Sequence, residues 1–144
     1  MEGEPQAGRP SRCLNDGMLE VRGLDVRYGP VRAVRGIDLT VADSSVVGLL
    51  GANGAGKSTT LRAISGLVPY SGQILFEGSE CRKLGVEGAV KRGIIHVPEG
   101  RRLFRPLSVH ENLQVGETAR FGRVSAYSID AVYDLFPALV PLRK

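Results

Sequence analysis

The residues with the plainest chemistry are Gly51-Ala52-Asn53-Gly54-Ala55-Gly56-Lys57-Ser58, which follow the pattern G-x-x-x-x-G-K-[ST]. Each residue type has a reason to be there. Glycines let the chain fold back so that successive backbone N–H groups converge on phosphate oxygens. A helix beginning at the end of the loop adds the positive end of its dipole. The Lys57 ammonium reaches the β- and γ-phosphates. The Ser58 hydroxyl offers Mg²⁺ a hard oxygen ligand, and Thr59 is placed to add a hydroxyl near the α-phosphate. The implied ligand is a nucleoside triphosphate with Mg²⁺, either ATP or GTP. The guanine-selecting pattern Asn-Lys-x-Asp does not occur in the chain.

Such a loop has to be held by a strand before it and a helix after it. Ser45-Val46-Val47-Gly48-Leu49-Leu50 is a continuous apolar run of the kind found in strands buried on both faces, as in a parallel sheet. Lys57 to Leu67 reads as the helix. Upstream, Leu19 to Val41 alternates in short β-prone runs broken at Gly29-Pro30 and Gly36, an antiparallel β region. Downstream, Gly72 to Gly78 reads as a short strand, Val86 to Lys91 as a weak helix, and Gly93 to Val97 as a short strand ended by Pro98. Ser108-Val109-His110-Glu111 is a capping box that opens a helix to Ala119. A last helix spans Ser128 to Leu135, with Ile129, Val132, Tyr133 and Phe136 on one face. The mixture is α/β with a β-rich start.

Composition narrows the class. Of 144 residues, 42% are apolar and 24% charged, ordinary globular values that exclude disorder for the bulk of the chain. The only cysteines, Cys13 and Cys81, exclude a disulfide scaffold. The longest apolar run, Val46 to Leu50, falls far short of the ~20 residues a transmembrane helix needs. The net charge of +4 comes mainly from scattered arginines, with a cluster only at Arg101, Arg102 and Arg105, so no nucleic-acid partner is expected. His96 and His110 have no companion ligands and do not read as a metal pair. Residues 1–17 carry Pro5, Pro10 and no apolar periodicity. They read as a disordered tail, or as sequence ahead of a true start at Met18.

Beyond the loop, longer stretches are similar to the ATP-binding subunit of ABC transporters. Leu19-Glu20-Val21-Arg22-Gly23-Leu24 resembles that family's opening strand, and Gly51 to Leu61 matches its phosphate loop nearly letter for letter. Gly93 to Phe104, containing Val97-Pro98-Glu99-Gly100-Arg101, resembles its Q-loop. Leu107 to Leu113 resembles the helix start that follows. The Val-Pro-Glu-Gly-Arg form is like that of branched-chain amino acid importers. The resemblance implies a P-loop NTPase (ABC ATPase) core with an N-terminal antiparallel β region, running over residues 18–144. It implies adenine stacking on Tyr28, ATP contacts from Gly51, Asn53, Gly54, Ala55, Gly56, Lys57, Ser58 and Thr59, and a catalytic part for Lys57. Glu99, at a position where most members carry Gln, is implied to reach Mg²⁺ or the attacking water and to report to a membrane subunit. The Arg101, Arg102, Arg105 cluster would face that subunit.

The resemblance also implies partners: transmembrane permease subunits, a second ATPase subunit paired head to tail, and a peripheral place on the cytoplasmic face of the membrane. The family continues with a Leu-Ser-Gly-Gly-Gln-like signature, an apolar strand ending Asp-Glu, and a switch His; none occurs here. The expectation is therefore an N-terminal part, truncated before the signature motif, poorly stable or incomplete alone. The alternative is a non-hydrolysing ATP-binding module or a decayed gene product. One local departure is Ser44, where relatives have a glycine whose positive φ a serine adopts at a cost. The transported solute is not legible, since solute choice lies with other subunits.

Overall fold

The computed structural model describes residues 18–100, 102–122 and 127–144. The N-terminal stretch 1–17, read above as a tail, and Arg101 lie outside them. The chain divides into two compact units, Met1–Gly85 and Val86–Lys144.

In the first unit the antiparallel region forms as expected. Strand β1 (Leu19–Tyr28) turns at Gly29-Pro30 into β2 (Val31–Val41). Helix α1 (Lys57–Ile64) follows, then β3 (Ser71–Phe76) and the short β4 (Ser79–Glu80). The sheet order is β2-β1-β3-β4, antiparallel throughout. Val21, Leu24, Val26, Val34 and Ile74 from the sheet are buried, as are Thr60, Ala63 and Ile64 of α1, which packs on β1 and β2. At the irregular crossing of β1 and β3, Gly72 (φ 91°) sits where a Cβ would overlap the carbonyls of Arg22 and Gly23.

Helix α1 is a turn shorter than its sequence period. Leu67 N–H donates to the Arg62 carbonyl (2.9 Å) and Gly66 N–H to the Ala63 carbonyl (3.0 Å). With Gly66 at φ 71° this is a Schellman stop, which only glycine closes without strain.

The run Ser45–Leu50 does not form the buried strand expected of it. It is irregular, with Val46 fully exposed and Leu50 93% exposed. Burial on both faces is conferred by flanking strands, and among the described residues none runs beside it. The same correction applies to Gly93–Val97. It carries no strand, and Val97 is 88% exposed. Ser44 does take the left-handed conformation (φ 55°), and Ser45 Oγ donates to the Ala42 carbonyl at 2.7 Å to close that turn.

The second unit holds α2 (Gly85–Arg92, starting at the border), α3 (Val109–Thr118), α4 (Ile129–Leu135) and a 3₁₀ turn (Pro137–Leu142). The capping box forms as written: Glu111 N–H donates to Ser108 Oγ (3.2 Å), and Ser108 N–H to the Glu111 carboxylate (2.7 Å). In α4, Tyr133 is buried, lying between the His110 ring (centroids 6.3 Å apart) and the Arg143 guanidinium (4.3 Å). Phe136, expected on the same face, is exposed instead. It precedes Pro137, whose ring disfavours helical backbone at the residue before it, and it leaves the helix at φ −127°, ψ 70°.

Candidate functional site

The glycine-rich loop ends where α1 begins. Gly56 is the N-cap at φ 91°, ψ 4°, and it caps with no side chain. The first-turn N–H groups of α1 thus keep their donor capacity for an incoming anion. A Cβ on Gly56 would stand 2.5 Å from the Ala33 carbonyl oxygen and 3.2 Å from Val34 Cγ2, so the loop end is pressed against β2. Gly54 (φ 81°) makes the turn beside Asn53, and Ala55 N–H donates to the Ala52 carbonyl at 3.2 Å.

Lys57 folds back over this loop. Its Nζ donates to the Gly51 and Ala52 carbonyls, 2.8 Å each, which holds the ammonium on the loop. Ser58 is exposed and Thr59 half-buried on the first turn. Thr60 faces the core and donates Oγ1 to the Gly56 carbonyl at 3.0 Å. The donor set has the chemistry of a polyphosphate and Mg²⁺ cradle: backbone N–H groups at a helix start, one ammonium and the hydroxyls of Ser58 and Thr59.

Tyr28, at the tip of the β1–β2 hairpin, is 43% exposed. It pairs with Val31, two residues from Ala33, so the tip rises within about 7 Å of chain from the contact with Gly56. The sequence-predicted residues from Tyr28 to Thr59 thus share the first unit. Glu99 belongs to the second, exposed on a bend beside Gly100 (φ 84°). Arg102 and Arg105 are exposed in the same unit.

Sequence reasoning missed Ala33 and Val34, because contact between a strand and a distant loop leaves no periodic signal. It also missed Asn112. Its amide donates to the carbonyls of Phe104 (3.2 Å), Leu107 (3.1 Å) and Ser108 (2.9 Å), and its Oδ1 accepts from Phe104 N–H (3.0 Å). This side chain stitches the turn at 104–108 onto α3. Among the described residues no His, Cys, Asp and Glu cluster could hold a metal, and no helix is long and apolar enough to cross a membrane.

An antiparallel β region packed on a helix that opens from a G-x-x-x-x-G-K-[ST] loop defines the N-terminal region of an α/β P-loop NTPase. The model of the ABC transporter family matches residues 34–137, and the chain belongs to that family. It is 37% identical over 123 residues to the high-affinity branched-chain amino acid transport ATP-binding protein BraG of Pseudomonas aeruginosa, covering 85% of this chain and 53% of BraG. It is 38% identical over 106 residues to the xylose import ATP-binding protein XylG of Paraburkholderia xenovorans, covering 72% of this chain and 20% of XylG. The chain thus spans about half the length of one relative and a fifth of the other. Among solved structures, an ATP-binding subunit of an ABC transporter aligns with TM-score 0.61 at 28% identity, over 76% of this chain and 45% of that one. The ADP conformation of another ATP-binding cassette has the same fold at TM-score 0.66 and 20% identity, over 90% and 57%.

Proposed function

We infer that this chain is the N-terminal part of an ABC importer's ATP-binding subunit and that it binds MgATP on the first unit. The observation that carries the reading is the loop itself: Lys57 Nζ held on the carbonyls of Gly51 and Ala52, beside a helix start capped only by Gly56. In this reading the loop N–H groups and Lys57 bind the phosphates, Ser58 ligates Mg²⁺, Thr59 adds a hydroxyl, and Tyr28 stacks on adenine. Glu99 serves the second unit as the reporter to a permease, with the Arg102 and Arg105 surface beside it. The family match, over residues 34–137, includes residues of both units.

As part of a whole subunit, the chain pairs with a second ATPase subunit and with permease subunits on the cytoplasmic face of the membrane, where hydrolysis drives import. The solute proposed is a branched-chain amino acid. The extent of the match to BraG and the Val97-Pro98-Glu99-Gly100 stretch support it, and a sugar is the competing outcome.

The test is calorimetric titration of the chain with ATP in the presence of Mg²⁺, repeated with Lys57→Ala and with GTP as competitor. Expected are saturable binding and a loss of at least about tenfold in Lys57→Ala, the scale of one charge-assisted contact to phosphate. Absence of ATP binding by a folded chain overturns the reading.

A further inference from the structure

The base site has a support that its own residues do not reveal. The pairing of β1 with β2 steps from Val26↔Val34 to Arg27↔Arg32, which leaves Ala33 with no opposite residue. Ala33 is therefore the extra residue of a β-bulge, a feature that bends its strand and re-aims the neighbouring groups. Its carbonyl is the atom that would meet a Cβ on Gly56 at 2.5 Å. The bulge is thus the point at which the hairpin rests on the phosphate loop.

Faces follow from the register. Val34 touches the Gly56 position and stands opposite Val26. Directly opposed residues share a face, as do residues two apart on one strand. Tyr28 therefore continues the face that meets the start of α1. Asp25, Arg27 and Arg32 occupy the reverse face, where Arg27 and Arg32 are direct cross-strand partners and Arg35 stands opposite Asp25. Like charges directly opposed push strands apart. Asp25 lies among them. Its carboxylate, mostly covered, accepts from Nε of Arg32, pairs with that guanidinium's Nη2, and lies 3.7 Å from Arg27 Nε.

We propose that Asp25 is a positioning residue of the nucleotide-base site: by neutralising Arg27 and Arg32 behind the hairpin tip, it keeps the Ala33 bulge closed and Tyr28 at a fixed distance from Gly56. The proposal rests on the nucleotide reading above. It requires nothing of Asp25 toward the phosphates. Its signature is loss of the base-dependent share of affinity with the phosphate-dependent share left intact.

The experiment compares binding of ATP and of inorganic tripolyphosphate, both with Mg²⁺, to the full chain. It uses the wild type, Tyr28→Ala, Asp25→Asn, Asp25→Glu and the double variant Asp25→Asn/Arg32→Gln, each checked for its fold by circular dichroism. Tyr28→Ala is expected to erase about tenfold or more of the preference for ATP, the size of one base–aromatic stack. Asp25→Asn is expected to lose about fivefold of that preference, the upper end of a cross-strand charge effect, with tripolyphosphate affinity unchanged. Adding Arg32→Gln removes the repulsion and recovers most of the loss, and Asp25→Glu retains wild-type preference. Amide exchange at residues 31–33 rises in Asp25→Asn alone. Several results overturn the proposal: an unchanged preference in Asp25→Asn, a parallel fall for both ligands, or a double variant no better than the single. A chain that binds tripolyphosphate but shows no Tyr28-dependent preference refutes the adenine site itself and takes the proposal with it.

Discussion

Substituting Gly56 by alanine separates two physical costs that a neighbouring glycine carries singly. At φ 91° an L-residue occupies backbone space that costs roughly 1–2 kcal/mol. The added Cβ would also lie 2.5 Å from the Ala33 carbonyl oxygen, well inside contact distance, against backbone that cannot rotate away as a side chain would. Forcing that strand and loop apart adds about 1–3 kcal/mol, the usual range for overpacking. Gly54 has a similar φ, 81°, but a Cβ there meets nothing within 4 Å, so Gly54→Ala carries only the first cost. Gly56→Ala should therefore be less stable than Gly54→Ala by about 1–3 kcal/mol, a large part of a typical 5–15 kcal/mol total. Thermal unfolding followed by circular dichroism reads this as a Tm lower by roughly 2–12 °C in Gly56→Ala than in Gly54→Ala. Equal midpoints, or a lower one for Gly54→Ala, would refute the claim that β2 presses on the end of the phosphate loop.

Ser44→Gly relieves a left-handed serine (φ 55°) at the turn closed by Ser45, and should raise stability by about 0.5–1 kcal/mol after the added freedom of the unfolded glycine is counted; an unchanged or lower urea midpoint contradicts this. Ser108→Ala removes the acceptor for Glu111 N–H and should cost about 1 kcal/mol, with loss of protection in the first turn of α3 measured by hydrogen exchange. Glu111 is held below the ordinary carboxylate range, first by the Ser108 backbone N–H and then by the Ser108 hydroxyl. Its contribution to α3 is present above the unfolded glutamate pKa and is lost as pH falls through the lowered value, and a carboxyl titration by NMR that shows an ordinary pKa would refute it. Burial, then the charge of Glu80, pushes the Tyr70 phenol up to about 12. The stabilisation from keeping Tyr70 protonated is complete below the unfolded pKa of about 10 and fades as pH rises toward 12, so ultraviolet titration should find one late tyrosine that Tyr70→Phe removes.

Local rules written into short stretches survived into the structure. The capping box at Ser108–Glu111, the turn at Gly29-Pro30 and the antiparallel pairing it forces each depend on residues a few positions apart. So does the phosphate loop, whose conformation follows from where glycines permit positive φ and from a helix that needs a start. The stop of α1 at Gly66 and the exit of Phe136 before Pro137 were also legible in principle, because both follow from the backbone limits of a single residue type.

Composition and pattern alone determined that this protein carries a glycine-rich phosphate loop on an α/β scaffold with a β-rich start. Periodicity is a local property and the loop is contiguous, so no distant contact was needed to read them. Tertiary structure decided the rest. It alone set whether the apolar runs 45–50 and 93–97 became strands, since burial and ladder pairing come from neighbours distant in sequence. It alone brought the bulged Ala33 against Gly56 and gathered Arg27 and Arg32 around Asp25. Those contacts depend on one-residue register steps and on side-chain reach, and neither leaves a mark in the order of residue types.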